Sequence, residues 1–309
     1  MTTDVFNYAF NEEEQFDLLI FAVGYETRAR YVAEKLHRNS KLVLGYVFPA
    51  GHILGFDANM AFLSGAGGHM LHAGTSIEER LVAVSKEIDL RSSRICVDVS
   101  SLNRGAMSAL LSELLDSDFF RGCQITVLYA PAIFEPPPAE EMDFLDFGPL
   151  ERFEGWTSNP EKPSVLILGL GYETDHAVGA LEYLDPSSTF AFFPVGSDER
   201  FGREVQRANE TFLELISPER VVRYSVLSPY QTFWQLRSLI LSVKDVARNV
   251  LVPMGPKIFC SLCLVCQRVF GDEISVWRAS GHSLDRARDA FADGDVVGYL
   301  ISRSESRDR

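Results

Sequence analysis

An α/β fold class, laid down twice in one chain, is predicted by three observations. The tetrapeptide Gly24-Tyr25-Glu26-Thr27 recurs as Gly171-Tyr172-Glu173-Thr174. Each copy closes a short apolar run, FDLLIFAV in the first case and PSVLILGL in the second. Further matched segments follow in the same order. KLVLGYVF (41–48) matches TFAFFPVG (189–196), and ANMAFL (58–63) matches ANETFL (208–213). ICVDVSSLNR (95–104) matches NVLVPMGPK (249–257), and ITVLYAPA (125–132) matches ISVWRASG (274–281). A colinear series of matches marks two diverged copies of one domain. The boundary is placed near Thr157 to Lys162, where TSNPEKP supplies linker chemistry, so the domains read 1–158 and 159–309.

Inside each copy, short apolar runs alternate with helical periods. Copy one reads strand 17–23, helix 27–37, strand 41–48, helices 56–64 and 76–88, strand 94–99, helix 102–115 and strand 124–130. A last segment, 147–154, reads as an edge strand. Copy two reads 164–170, 175–184, 188–194, 201–217, 219–225, 230–246, 249–253, 257–269, 273–278 and 296–302. Continuous apolar strands flanked by helices belong to a mostly parallel sheet covered on both faces. The expectation is two tandem Rossmann-like domains. GAGGHMLHAG (65–74) reads as a loop where copy two has the strand VVRYSV, so the copies are expected to differ there. SLDRARDAFADGD (283–295) reads as a helix, and FEPPPAEEMDFLDFG (134–148) as a surface crossing that its prolines keep out of helix and central strand.

Composition narrows the function classes. The chain has 309 residues, 46% of them hydrophobic, and a formal charge of -14. Such a charge weighs against a long nucleic acid as partner, because backbone binding needs concentrated Lys and Arg. It leaves room for a small anion held by a few local groups. Five cysteines form no disulfide framework and fit a reducing, cytoplasmic setting. The opening MTTDVFNYAFNEEEQ lacks the basic and apolar regions of a leader, and no apolar run approaches membrane-spanning length.

In open α/β sheets, ligands bind beyond the carboxyl ends of the strands. Four strand-to-helix junctions qualify. The two GYET turns offer Gly24, Tyr25, Glu26 and Arg28, and in the second copy Gly171, Tyr172, Glu173 and His176. Glycine permits a tight turn or close approach of a ligand, and Glu can accept hydrogen bonds from sugar hydroxyls or base amino groups. Thr27 and Thr174 serve equally as helix caps. The other two junctions are DVSSLNR and PMGPK. Asp98 ends an apolar strand; Ser100 and Ser101 precede a helix start that carries Asn103 and Arg104. Two hydroxyls at a helix start suit a phosphate. Ser101 reads alternatively as the helix cap. In copy two, Gly255 allows close approach, Pro256 suits a first helical turn, and Lys257 offers a point charge.

The pattern Asp98-x-Ser100-x-x-x-Arg104, with Gly255-Pro256-Lys257 in the second copy, resembles the strand-to-helix motif of CRISPR-associated Rossmann-fold domains. That resemblance implies a sensor of cyclic nucleotides or oligonucleotides in antiviral defence. The ligand then sits between two lobes whose strand ends face a shared cleft, and an effector protein is a partner. Where the family carries a glycine between the hydroxyl and basic residues, this chain has Leu102 and Asn103.

Conventional cofactor chemistry is not encoded. LGLGYET misses the third glycine of the dinucleotide fingerprint, and there is neither a phosphate-binding GxxxxGK[ST] loop nor a GxSxG elbow. Cys260, Cys263 and Cys266 lie at helical spacing and read as core rather than as metal ligands. No cofactor or metal is expected. Three function classes remain: a nucleotide-like anion sensor or adaptor, which could self-associate; a phosphodiesterase or related hydrolase with Glu26, Asp98 or Glu173 as general base; and an interaction scaffold. Tyr129, at a strand end, reads either as a base-stacking ring or as rim packing.

Overall fold

The computed structural model describes residues 2–84, 93–137, 146–155, 161–280 and 287–304. The chain divides into two compact units, residues 1–133 with 284–309 and residues 134–283. The division therefore falls away from 157–162, most of which lies outside the described residues.

The first unit runs β1 (Thr2–Asn7), β2 (Phe16–Val23), a 3-10 turn (Thr27–Arg30), α1 (Tyr31–Leu36), β3 (Ser40–Val47), α2 (Phe56–Gly65), β4 (His69–His72), α3 (Ile77–Val84), β5 (Arg94–Asp98), α4 (Arg104–Asp116) and β6 (Gln124–Tyr129). The second runs β7 (Asp146–Pro149), β8 (Ser164–Gly169), α5 (His176–Leu184), β9 (Ser188–Val195), α6 (Glu199–Ala208), α7 (Glu210–Leu215), β10 (Val221–Ser225), α8 (Pro229–Val243), β11 (Arg248–Pro253), α9 (Lys257–Phe270) and β12 (Ile274–Ser280). The chain then returns to the first unit as β13 (Val297–Ser304).

The first sheet has the order β1-β13-β6-β5-β2-β3-β4, and the second β10-β9-β8-β11-β12-β7. In both, the five α/β strands are parallel, with β4 and β10 at an edge of their sheets. From the first of these strands the chain winds outward one way, then returns to wind the other. That is the Rossmann-like arrangement, present twice as predicted. The central strands earn their position by composition: β2, FDLLIFAV, is buried along nearly its whole length, as a strand covered on both faces must be.

Four readings change. The edge strands are exchanged between the copies. β7, read as the edge of copy one, pairs antiparallel with β12 from Trp277↔Pro149 to Ser280↔Asp146. β13, read as part of copy two, pairs antiparallel with β6 from Val297↔Tyr129 to Ser302↔Gln124. Equivalent strands β6 and β12 offer equivalent open edges, so the local pattern of an edge strand does not say which edge it joins. Second, the segment read as a loop contains β4, which pairs with β3 and matches β10. The copies agree there; Gly67 and Gly74, at φ of 67° and 83°, turn the chain at the strand's two ends. Third, 287–295, the described part of the expected helix, is not helical and bonds to residues that follow β2 and β6. Fourth, 201–217 is two helices, parted at Asn209, whose side chain is drawn into a strand-end turn. Among the described residues, strand β1 has no counterpart in the second unit.

The three cysteines of α9 form no disulfide and are buried among apolar neighbours. Burial pushes the Cys263 and Cys266 thiols up, so they stay protonated core residues.

Candidate functional site at the strand-order switch

In the first unit the winding reverses between β2 and β5, and in the second between β8 and β11. The four junctions singled out in the sequence are the loops after these four strands. They therefore fall, pair by pair, at the crevice where α/β sheets take ligands.

The GYET turn is held the same way in both units. Asn59 Nδ2 donates to the carbonyl of Gly24 at 2.8 Å and to that of Glu26 at 2.9 Å. Asn209 Nδ2 donates to the carbonyl of Gly171 at 2.8 Å. These are the asparagines of the matched ANMAFL and ANETFL segments. Their alignment was visible in the sequence, but their role was missed, because a side-chain bond to a backbone carbonyl leaves no spacing signature. Both asparagines are buried. Asn59→Ala should cost about 2 kcal/mol by stranding these carbonyls. A shift of the urea midpoint would show it. Asn209→Ala, which releases a single GYET carbonyl, should shift it less.

In the first unit the turn feeds a buried polar network. Arg28, only 8% exposed, donates from Nε to Glu26 Oε2 at 2.8 Å and from Nη1 to the Ala130 carbonyl at 3.3 Å. Ser101 Oγ donates to the same Glu26 oxygen at 2.6 Å. The two sequence motifs are thus physically joined. Ser100 donates its N–H to Asp98 Oδ1 at 2.9 Å and its hydroxyl to the same atom, while accepting from Ala130 N–H at 2.8 Å. Asp98 Oδ2 is buried and has no hydrogen-bond partner. Burial pushes this carboxyl up to about 7, against the pull of the Ser100 donors and the more distant Arg28. Tyr129 is buried with the Arg28 guanidinium 5.9 Å from its ring centroid, and burial raises its phenol. It packs on Arg28 instead of presenting a free face. Tyr25 is half-buried, its phenol raised first by burial and then by Glu26.

The predicted phosphate cradle is therefore arranged otherwise. Both serine hydroxyls donate to carboxylates. Asn103, not Ser101, caps α4, accepting from Ala106 N–H at 2.7 Å. Arg104 stands at the helix's first position, half-exposed. Thr27 is no helix cap either: its N–H and hydroxyl both donate, at 2.6 Å, to the carboxylate of Asp289. Sequence reasoning missed Asp289, which is 262 positions away.

The second unit has diverged. Gly171 and Gly255 serve close backbone approach. A Cβ on Gly255 would lie 2.2 Å from the Leu170 carbonyl oxygen, and one on Gly171 2.8 Å from that of Met254. Tyr172 lies parallel to Phe201 at 6.0 Å, and Phe201 meets Phe134 edge-on at 5.1 Å. Glu173 is half-buried and Thr174 exposed. Asp175 takes the left-handed conformation, φ 60°, just before α5, where His176 is buried. Pro256 precedes α9 without a side-chain cap, and Lys257 opens the helix half-buried. Polar groups are thus gathered in the first unit and aromatic ones in the second.

Among the described residues, no three His, Cys, Asp or Glu side chains are grouped to hold a metal ion, and no helix is long and apolar enough to cross a membrane. No protein-family model matches the chain, and no curated protein does. Among solved structures it is similar to the cytoplasmic domain of a prokaryotic cation chloride cotransporter, with 9% identity and a TM-score of 0.27 over 86% of this chain and 95% of that one.

Proposed function

We propose that the chain binds a nucleotide-like anionic small molecule at its strand-order switch points, as a sensor or adaptor subunit in antiviral defence that passes the signal to a partner protein. The observation that carries this reading is the meeting of both duplicated motifs at one place in each unit: Ser101 on Glu26 in the first, and the Gly171 and Gly255 turns at the ends of neighbouring strands β8 and β11 in the second. Two carboxylates and a buried arginine in the first unit suit the hydroxyls and amino groups of a nucleoside. In the second unit, the start of α9, with Lys257, by itself suits a phosphate. The resemblance of the DVSSLNR and GPK motifs to CRISPR-associated Rossmann-fold domains supports the defence setting.

Native mass spectrometry of the purified protein, followed by titration with a panel of cyclic and linear nucleotides, tests the proposal. The expected result is a bound or acquired nucleotide whose affinity falls at least about tenfold in Lys257→Ala, the loss of one charge-assisted contact. A protein that arrives empty and takes up no panel member overturns it.

One observation favours a second reading, a nucleotide-processing hydrolase. A carboxyl that titrates near 7, as Asp98 does, is matched to proton transfer at neutral pH. Turnover of a panel member, lost in Asp98→Asn while binding remains, would select it.

A further inference from the structure

The segment 289–294 enters the first unit on its way to β13 and is bonded on two sides. On one side Asp289 accepts from the N–H and hydroxyl of Thr27, both at 2.6 Å, the Ala290 carbonyl accepts from Arg28 N–H at 2.9 Å, and Gly294's carbonyl accepts from the Tyr31 hydroxyl at 3.0 Å. On the other, Ile133 N–H donates to Phe291 at 2.8 Å and Asp293 N–H to Pro131 at 3.0 Å. Thr27 and Arg28 follow β2; Pro131 and Ile133 follow β6. Between β2 and β6 in the sheet lies β5, which ends at Asp98. A segment tied to both outer strands spans the end of the middle one, and that end is the switch point. Asp293 is near enough to Arg28 and Tyr129 to act on both electrostatically.

In the second unit the same four residues form their turn with Thr174 exposed, and among the described residues no carboxylate takes its N–H or hydroxyl. Among the described residues, the first unit shows an internal anion at this turn and the second shows none.

We infer that residues 289–294 form an autoinhibitory strap over the first unit's switch point, with the Asp289 carboxylate as its clasp, which an anionic ligand must release to engage Glu26 and Arg28. The inference rests on the nucleotide-binding reading and adds its regulation. Because the strap continues directly into β13, release at the site loosens the anchorage of that strand.

The test compares wild type with Asp289→Ala by residue-resolved hydrogen exchange and by titration with the same nucleotide panel. Exchange at the Thr27 and Arg28 amides should rise at least tenfold in the variant, with a smaller rise across 297–304. Affinity for whichever panel member binds wild type should rise about tenfold. Unchanged exchange at Thr27 and Arg28 overturns the clasp. Raised exchange with unchanged affinity overturns the gating. Raised exchange with no binding by either protein overturns the nucleotide reading and leaves the strap a structural tie, so gating falls with it. Should Asp289→Ala not fold, Asp289→Asn and Thr27→Val, which remove the charge or one hydroxyl contact, carry the same comparison with smaller effects in the same direction.

Discussion

Asp98→Asn is expected to flatten the pH dependence of stability. In the folded protein the Asp98 carboxyl is pushed up to about 7 by burial, from an ordinary value of 3.8. Below pH 3.8 the carboxyl is protonated in both folded and unfolded chains and contributes nothing to the difference. Between about pH 4 and 7 the unfolded chain gives up the proton while the folded one keeps it. Stability therefore falls as pH rises through this window. Above 7 the carboxylate is ionised in both states, and the full penalty of burying it applies. That penalty is on the order of a few kcal/mol. Its structural source is the unpartnered Oδ2, since Oδ1 already takes both Ser100 donors. Urea midpoints for wild type and Asp98→Asn, taken from pH 4.5 to 8, should diverge up to about pH 7, the variant gaining on wild type, and hold that gap above it. Parallel curves would mean that Asp98 is ionised in the folded chain throughout.

Gly255→Ala is the second large effect. In the sequence, position 255 is a place where a ligand could approach the backbone. The backbone that approaches is the protein's own. Gly255 and Met254 both donate N–H groups to the Gly169 carbonyl, at 3.0 and 2.8 Å, closing the end of β11 onto β8. A methyl group there meets the Leu170 carbonyl oxygen at 2.2 Å, and backbone cannot rotate aside as a side chain does. The substitution should destabilise the second unit by about 3 kcal/mol or more, the upper range for overpacking. Thermal unfolding followed by circular dichroism measures it. Gly105→Ala is the contrast: its Cβ meets nothing nearer than the Asn103 side chain at 3.5 Å, and the position lies in α4, where Ala is favoured. A Gly255→Ala variant as stable as wild type would return the glycine to a ligand-facing role.

Much of the fold was legible because parallel strands buried on both faces announce themselves as unbroken apolar runs, and the helices between them as polar-apolar periods. The duplication then placed each junction twice. The meeting of GYET with DVSSLNR followed from strand order alone. What was not legible shares one property: distance along the chain without a local pattern. Asp289 reaches Thr27 across most of the sequence. The asparagines at 59 and 209 hold the turns through backbone carbonyls, which carry no residue identity. Histidines 69 and 72 sit in a four-residue strand whose flanking glycines resemble those of a loop. Ser100 and Ser101 follow β5 as the sequence predicts, but nothing local in the sequence says that their hydroxyls point to carboxylates.

The exchange of β7 and β13 has a consequence during synthesis. While the ribosome is making the whole second unit, sheet one has β6 at an open edge, and β1 has no strand to join. At ordinary translation rates the interval from β6 to β13 lasts roughly ten to thirty seconds. An unpaired edge of that duration invites pairing with other nascent chains. Sheet one can therefore be finished only after sheet two, although its first strands emerge first.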